Sequence, residues 1–247
     1  MWLAGCALGQ WRCDHETFND DPRYIFYVSV IIIGRRGVVK LKDPVSGSLH
    51  FAGVVFAAIA IVLLVKAGWG DAWKIVSFSI YGAAMLILYS ISTLYHCLPR
   101  EAGGPNQIFR KLDHLSIYLF IAGTYTPFCL VTLRGPWGWS LWGVIWGLAI
   151  AGILVQSVYI NVKRWITTLI YIGMGWMVVI AIKPLMDHLD VNGLYLLLAG
   201  GLSYSSGGVV YALKKPNISK YFGFHELWHV FVLLGSLCHF LAVLMYV

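Results

Sequence analysis

Seven stretches of this sequence are long and apolar enough to cross a lipid bilayer. Most of them run about 17–25 residues, the length that spans the hydrocarbon core at about 1.5 Å per residue. Lipid cannot satisfy backbone N–H and C=O groups, so such segments are expected to be helical. The sequence therefore predicts an all-α, polytopic membrane protein with seven transmembrane helices, roughly at residues 50–65, 75–97, 115–133, 139–160, 165–182, 194–213 and 222–247.

The composition agrees with a chain whose surface faces lipid. Of its 247 residues, 59% are hydrophobic and 12% are charged, whereas a soluble domain has about 25% charged residues. A core of this size cannot absorb so many apolar residues, so we expect a multi-pass protein of the cell membrane. The net charge of +7 does not indicate nucleic-acid binding, because the basic residues fall in short loops between apolar spans.

The distribution of Lys and Arg predicts the orientation of the chain. One set of loops is rich in these residues and the other is poor. Positively charged loops stay in the cytoplasm, which predicts a cytoplasmic N-terminus and, after seven spans, a C-terminus outside. The rich loops carry Arg35, Arg36, Lys40, Lys42, Arg100, Arg110, Lys111, Lys163, Arg164, Lys214, Lys215 and Lys220, and the poor loops carry Lys66, Lys74, Arg134 and Lys183.

The N-terminal part of the chain has no predicted span. Its apolar run "YIFYVSVIII" has about ten residues and is too short to cross the membrane. It could lie in the membrane interface, or it could belong to an extension upstream of the natural start. We therefore divide the chain into an N-terminal extension, residues 1–37, and a membrane domain, residues 38–247.

Polar side chains that could bind a ligand or take part in catalysis occur at one end of three predicted spans. Ionisable groups are expensive inside a membrane, which makes them functional candidates. Residues four apart lie one turn apart on the same helix face. Given the predicted orientation, these side chains lie at a similar depth, near the cytoplasmic leaflet. They are Ser92 and His96 at the end of the second span, Asp113 at the start of the third, and His225 and His229 at the start of the seventh.

Three histidines at one depth predict a metal site built by two separate spans. Zinc takes three protein ligands and keeps one position open where it does chemistry, so His96, His225 and His229 would be its ligands. Asp113 is the nearest available carboxylate. It could hold and deprotonate a water molecule on the metal, whose pKa falls to about 7. Ser92 could hydrogen-bond to that carboxylate or to a developing oxyanion.

Some of the polar residues also have a purely structural interpretation. Asp113 follows Arg110 and Lys111, and it could form an interfacial ion pair or a helix cap. His114 and His239 are more typical of hydrogen bonds to a neighbouring helix than of metal ligands. The metal site is the better supported prediction for the other three histidines, because independent spans converge on it.

Glu226 completes the pattern H-E-x-x-H, which in soluble metalloproteases supplies two zinc ligands and a general base. It lies about 100° around the helix from His225, given about 3.6 residues per turn. The carboxylate could therefore reach the water or face the cytoplasmic headgroups. A further ligand from another helix is needed in either case, and we favour Asp113 as the base. A soluble-type protease is not expected.

Four motifs together make the chain similar to a known family. "DPVSGSLHFAG" stands at the first span, "SISTLYH" lies in the second, "KLDHLSIYLFIAGTYTPF" in the third and "GFHELWHVFVLLGSLCHF" in the seventh. In these motifs the chain resembles the hemolysin III family, which belongs to the wider group of progestin and adiponectin receptors. It is more distantly similar to the alkaline ceramidases. The resemblance covers about residues 40–247.

The resemblance implies seven transmembrane helices with the N-terminus inside, and a zinc ion near the cytoplasmic leaflet. It implies a role for each matching residue, and it places His50, which closes the first motif, near the site without ligating the metal. Glu226 matches no role in the family. The matches are His96 with the histidine of S-x-x-x-H, Ser92 with its serine, His225 and His229 with the H-x-x-x-H pair, and Asp113 with the aspartate that contacts the zinc-bound water.

Three functions from different classes fit these residues. The first is a zinc-dependent hydrolase of lipid amides or esters, with ceramide-like amides favoured by the resemblance. The second is a cytolysin that permeabilises membranes, as the family name says, although no amphipathic stretch is suited to insertion from water. The third is a lipid-sensing, receptor-like regulator in which zinc ties helices together. We favour the hydrolase, with membrane lipids as its partners.

Overall fold

The computed structural model of the protein describes residues 33–34, 37–38, 42–99, 105–159, 162–219 and 222–247. The chain divides into two compact units, residues 1–38 and residues 39–247. In the first unit Ile33–Gly34 (β1) pairs antiparallel with Gly37–Val38 (β2). Most of the predicted extension, including most of the run "YIFYVSVIII", lies outside the described residues, so the boundary at residue 37 stays a prediction.

Seven helical segments of the described chain are long and apolar enough to cross a membrane. This confirms the predicted fold class and the multi-pass membrane protein, while the orientation of the termini stays a prediction. The fifth crossing, Arg164–His188, contains two helices. The helices are α1 (Pro44–Ala67), α2 (Ala72–Cys97), α3 (Pro105–Pro127), α4 (Pro136–Val158), α5 (Arg164–Trp176), α6 (Ile182–His188), α7 (Val191–Leu213) and α8 (Phe224–Tyr246).

Two crossings begin much earlier than the sequence predicts, and the other starts differ by three residues or fewer. Helix α1 starts at Pro44 rather than near residue 50, and α3 starts at Pro105 rather than near residue 115. Both begin with turns that contain polar residues, which lower the local hydropathy without interrupting the helix. Proline suits a first helical turn, where its missing N–H would have no partner anyway. These additional turns carry Ser46 and Asp113, which lie at the candidate site described below.

Six helices contact one another in a closed ring. Along it α1 contacts α2, α2 contacts α3, α3 contacts α5, α5 contacts α7, α7 contacts α8, and α8 contacts α1, while α4 packs against α3. The crossing that contains α3 is the most enclosed, with 67% of its most apolar stretch buried, against 17% for α4. Large side chains on α4 such as Ile150 and Leu154 are exposed, as expected for a face that contacts lipid.

The fifth crossing is interrupted by a short 3-10 segment, Met177–Ala181, between α5 and α6. A break within a membrane helix leaves backbone groups that lipid cannot satisfy. Tyr125 on α3 supplies partners for them. Its hydroxyl lies 2.9 Å from the carbonyl oxygen of Met174 and 2.6 Å from that of Gly175, and it accepts the N–H of Val178 at 3.0 Å. Helix α3 therefore holds this break in place.

Candidate metal centre

Several helices meet at one end of the ring. Helix α2 ends there with His96 in its last turns, and α8 begins there with His225 and His229. Helix α3 begins at the same end and carries Asp113 in its third turn. The start of α1 is fastened to the end of α2, because the backbone N–H of Asp43 donates to the carbonyl of His96 at 3.0 Å. Side chains from four separate parts of the sequence are thus brought together.

Three histidine side chains point their Nε2 atoms at one another, and we call them the histidine triad. The Nε2 of His96 lies 3.3 Å from that of His225 and 3.2 Å from that of His229. The two Nε2 atoms on α8 lie 3.1 Å apart. His96 and His229 are 1% and 0% exposed, and His225 is half-buried. These are the three residues that the sequence predicts as metal ligands.

Hydrogen bonds among the rings cannot account for the triad. Each Nε2 carries either one hydrogen or one lone pair in a neutral imidazole. With three atoms and two states, at least two of the atoms are in the same state. One of the three contacts therefore always sets two lone pairs or two hydrogens against each other. A cation between the rings would satisfy three lone pairs at once, so the arrangement fits a metal site.

The spacing of the triad also fits a metal ion. A tetrahedral zinc with bonds of about 2.0–2.1 Å separates its nitrogen ligands by about 3.3–3.4 Å. The three observed separations, 3.1–3.3 Å, are close to that value. Ligand atoms of His96, His225 and His229 form a group that could hold a metal ion. The histidine triad is thus a candidate metal centre, whatever the identity of the metal.

Asp113 and Ser92, the predicted catalytic residues, lie beside the triad rather than within it. Asp113 is 5% exposed and Ser92 is 1% exposed. The Asp113 carboxylate lies close to Ser92 and within electrostatic reach of His96, but it does not belong to the group of atoms that could share one ion. The Ser92 hydroxyl is buried beside this carboxylate. Their placement is compatible with the predicted roles, which stay predictions.

Glu226 has a structural partner for each carboxylate oxygen. Its Oε1 accepts the hydroxyl of Ser46 on α1 at 2.8 Å, and its Oε2 accepts the backbone N–H of Gly223 at 2.9 Å. The second contact closes the N-terminus of α8, as a glutamate three residues after a cap commonly does. The sequence leaves Glu226 either at the metal or at the headgroups. The structure instead makes it a tie between α1 and α8.

His50 lies against the triad, as the resemblance implies. It is 2% exposed, and the centroid of its ring is 3.8 Å from that of His229. Its two ring nitrogens are buried without hydrogen-bond partners among the described residues. His50 is not in the group of atoms that could hold the ion. It therefore borders the candidate centre without joining the triad.

Sequence reasoning missed one residue of the site, Asp43. Its Oδ2 lies 3.3 Å from the Nδ1 of His96, on the other side of that ring from the triad. The motif "DPVSGSLH" contains this aspartate. An aspartate ahead of a proline at the start of a helix is typical of a cap. In the sequence, only its place in a motif that also contains His50 could have pointed to a role at the site.

The two histidines predicted to be structural stand apart from the triad. His239 approaches the carbonyl of Leu197 on α7 with its Nε2 at 3.3 Å, an interhelical contact of the predicted kind. Its ring also occupies the space beside Gly200, where a Cβ atom would overlap it. His114 follows Asp113 on α3 and is not in the group of atoms that could share one ion.

A cavity of about 140 Å³ lies next to the candidate centre. Asp113 and His50 line it at the triad end, and Thr124, Trp176 and His239 line it elsewhere. Asp113 and Thr124 are separated by about 16 Å along α3, at about 1.5 Å per residue. That is about half of the roughly 30 Å hydrocarbon thickness of a bilayer. Much of the lining is aromatic or aliphatic, so the cavity suits an apolar chain that reaches the candidate centre.

The fold and the site together define a class of protein, a seven-helix membrane protein with a buried histidine cluster at one end of its bundle. Residues 39–240 match the family model "Haemolysin-III related". The chain is 42% identical over 212 residues to "Hemolysin-3" of Bacillus cereus, covering 84% of this chain and 93% of that protein. On this basis the chain belongs to the haemolysin III family.

Two further relatives extend the comparison. "Hemolysin-3 homolog" of Bacillus subtilis (strain 168) is 39% identical over 209 residues, which cover 83% of this chain and 95% of that protein. "Monocyte to macrophage differentiation factor" of Homo sapiens is 27% identical over 179 residues, 71% of this chain and 72% of that protein. The similarity thus reaches from bacterial to human proteins.

Proposed function

We propose that this protein is a zinc-dependent hydrolase of lipid amides or esters within the membrane. The observation that carries the proposal is the contact of three histidine Nε2 atoms at 3.1–3.3 Å beside an apolar cavity that Asp113 lines. Under the predicted orientation, the site lies near the cytoplasmic leaflet. A metal-binding triad alone would suit a structural tie as well, so the adjoining cavity and carboxylate favour catalysis.

Zinc is the proposed metal because of the donor set. Three imidazole ligands with an open fourth position are typical of catalytic zinc sites. Two of the proposed ligands, His96 and His229, are buried, so the bound ion would be largely shielded from bulk water. When bound, zinc supplies Lewis acidity, which lowers the pKa of a water molecule to about 7 and polarises a carbonyl group.

Asp113 is proposed to take the proton from the attacking water. Its carboxylate lies beside the triad and lines the cavity, which is where a water molecule and a substrate carbonyl would meet. A general base must lie within hydrogen-bonding reach of the proton that it accepts. Ser92, whose buried hydroxyl lies beside that carboxylate, is proposed to donate a hydrogen bond to the Asp113 carboxylate or to the developing oxyanion.

The proposed substrate is a lipid whose acyl chain occupies the cavity. Residues that line the cavity span about 16 Å along α3, from Asp113 to Thr124, and much of the lining is apolar. An acyl chain placed there would bring its carbonyl carbon to the end that Asp113 lines. Ceramide-like amides are the first class to test, because the hemolysin III family is distantly similar to the alkaline ceramidases.

Metal content and hydrolysis test the proposal together. Wild-type protein, purified in detergent without a polyhistidine tag, is expected to contain about one zinc per chain, and His96→Ala to contain none. Asp113→Asn is expected to retain zinc and to lose turnover of a ceramide amide by about 10²–10⁴-fold, the usual effect of a lost general base. His188→Ala is the control, because His188 is an exposed residue at the end of α6.

The outcomes separate the proposals. Full turnover in Asp113→Asn would remove the assigned base, and a well-folded wild type without metal would remove the catalytic reading altogether. Zinc retained with no turnover on any lipid amide or ester would favour a lipid-sensing regulator with a structural metal.

A second candidate function is permeabilisation of membranes, which is favoured by the name Hemolysin-3 of the two bacterial relatives. It makes a different prediction for the same variants. If permeabilisation is the activity, the protein would release dye from vesicles, and His96→Ala would release it as fast as the wild type. If the protein hydrolyses its substrate in vesicles and releases no dye from them, the hydrolase remains the supported candidate.

A further inference from the structure

The carboxylate of Asp43 contacts His96 from the side of the ring that faces away from the triad. Its Oδ2 lies 3.3 Å from Nδ1 of His96, while Nε2 of the same ring points at the other two histidines. An imidazole that donates its Nδ1–H to an acceptor presents a lone pair at Nε2. We propose that Asp43 is a positioning residue that selects the tautomer and the ring orientation with which His96 binds the metal. This inference rests on the proposed metal centre.

Asp43 does not serve as an ordinary helix cap, which is the simplest alternative. It occupies the N-cap position of α1, but its side chain accepts no capping hydrogen bond. Asp71 and Asp190 occupy the same position in α2 and α7, and both accept backbone N–H groups of the first turn. A cap of that kind stabilises a helix by about 1 kcal/mol. Helix α1 forgoes this contact, and the carboxylate is directed to His96 instead.

Two further contacts fix the position of Asp43. Its backbone N–H donates to the carbonyl of His96 at 3.0 Å, so backbone and side chain both contact the same residue. The Nζ of Lys42 lies 3.4 Å from Oδ2 of Asp43 and 3.3 Å from the ring centroid of Tyr95. The Lys42 ammonium is therefore held between the carboxylate and an aromatic face. A carboxylate restrained in this way can restrain the imidazole that it contacts.

The other buried member of the triad has no equivalent support. Nδ1 of His229 is buried without a hydrogen-bond partner among the described residues, and its ring contacts that of His50 instead. Metal-binding histidines commonly donate their second ring N–H to a carboxylate or carbonyl, and losing that partner typically weakens metal affinity by about 10–100-fold. Within the described chain, Asp43 is the carboxylate placed to make this contact with His96.

Zinc affinity measured on the purified, full-length protein tests the inference without reference to activity. Competition with a chromophoric chelator gives the dissociation constant, and thermal unfolding of the metal-free protein gives its stability. We expect Asp43→Asn to bind zinc about 10–100-fold more weakly than the wild type, with metal-free stability close to that of the wild type. Asp71→Asn is the matched control, because it removes a capping carboxylate at the opposite end of α2. It should leave both metal-free stability and zinc affinity close to those of the wild type, because asparagine caps a helix about as well as aspartate.

Each result decides the question. Zinc affinity within twofold of the wild type in Asp43→Asn would overturn the inference while leaving the metal centre intact. If that variant does not fold, Asp43→Glu takes its place, because it keeps the charge and displaces the carboxylate from His96. The same loss of zinc affinity is expected. Zinc affinity within twofold of the wild type in this variant would likewise overturn the proposal. A wild-type protein that binds no zinc would overturn both this inference and the proposed metal centre, so the two failures are distinguishable.

Discussion

The Ser46 hydroxyl on α1 donates to Oε1 of Glu226 on α8 at 2.8 Å, which joins the first and the last helix of the ring. The other oxygen of the same carboxylate accepts the N–H of Gly223. This carboxylate belongs to the H-E-x-x-H pattern, in which soluble metalloproteases place a catalytic base. Here its two oxygens are both occupied by structural partners, and the carboxylate that borders the cavity belongs to Asp113.

Replacing Glu226 should therefore affect stability more than turnover. Glu226→Gln keeps an oxygen that can accept one of the two hydrogen bonds, so we expect a loss of about 1 kcal/mol in unfolding free energy. Turnover of a ceramide amide by the folded variant should stay within about threefold of the wild type. Denaturant unfolding in detergent and hydrolysis assays on the same preparation would measure both quantities.

Ser46→Ala is the matched control, because it removes the partner of Oε1 without touching the carboxylate. It should reproduce the loss of stability and leave turnover unchanged. A fall of about 10²–10⁴-fold in turnover for Glu226→Gln, with the unfolding free energy preserved, is the pattern of a lost general base. That result would transfer the role of base from Asp113 to Glu226.

The sequence predicts the fold well because lipid imposes a simple rule. Seven apolar stretches of bilayer length predict seven crossings, and the structure has them. The predicted starts of α1 and α3 are late, because polar residues in their first turns serve contacts between helices rather than contact with lipid. The break at Met177–Ala181 was not predicted either. It depends on Tyr125, which is more than fifty residues earlier in the chain. The hydropathy of a segment does not reveal a hydrogen-bond partner that lies so far away in the sequence.

The site is predictable in part for a related reason. Spacing places His225 and His229 on one face of α8, and topology brings His96 to the same depth, so their convergence could be expected. Asp43 and Glu226 are different cases. Both are carboxylates near the start of a helix, yet only the folded chain separates the one that contacts His96 from the one that caps α8. Residue type and position alone do not distinguish these two roles.

Zinc should stabilise the protein, because the triad joins α2 to α8. A ligand that binds only the folded state adds about 2.7 kcal/mol at a free concentration 100 times its dissociation constant. We expect zinc to raise the melting temperature of the metal-free wild type by several degrees, and to have no effect on His229→Ala. His188→Ala should respond like the wild type. An equal rise in His229→Ala would mean that zinc stabilises the protein from another site.

Gly53 is predicted to tolerate no side chain, because α1 and α2 approach closely there. A Cβ atom at Gly53 would overlap the ring of Tyr89, which is buried and donates to Ser236 at 2.7 Å. Overpacking of this kind costs about 1–3 kcal/mol, so Gly53→Ala should lower the unfolding free energy by that amount. Gly143→Ala on α4 is the control, since its Cβ would have no atom within 4 Å. Equal stability of the two variants would contradict the observed packing.

The cavity makes a prediction about the length of the substrate. Gly201 on α7 lines it, and a Cβ atom there would meet only Trp176, at 4.0 Å. Gly201→Leu should therefore be accommodated by the fold while its side chain fills part of the space proposed for the acyl chain. We expect turnover of a long-chain ceramide amide to fall by at least about tenfold, with turnover of a short-chain analogue and zinc content close to the wild type.

The control for that variant is Gly147→Leu, which adds the same side chain to α4. No atom lies within 4 Å of a Cβ at this position, and Gly147 is not among the residues that line the cavity. Turnover of both the long-chain and the short-chain substrate should stay close to that of the wild type. A uniform loss for long and short chains in Gly201→Leu would point to a distorted site rather than to a shortened cavity. Unchanged turnover of both substrates would mean that the acyl chain does not enter this cavity, and the lipid would then have to reach Asp113 from another direction.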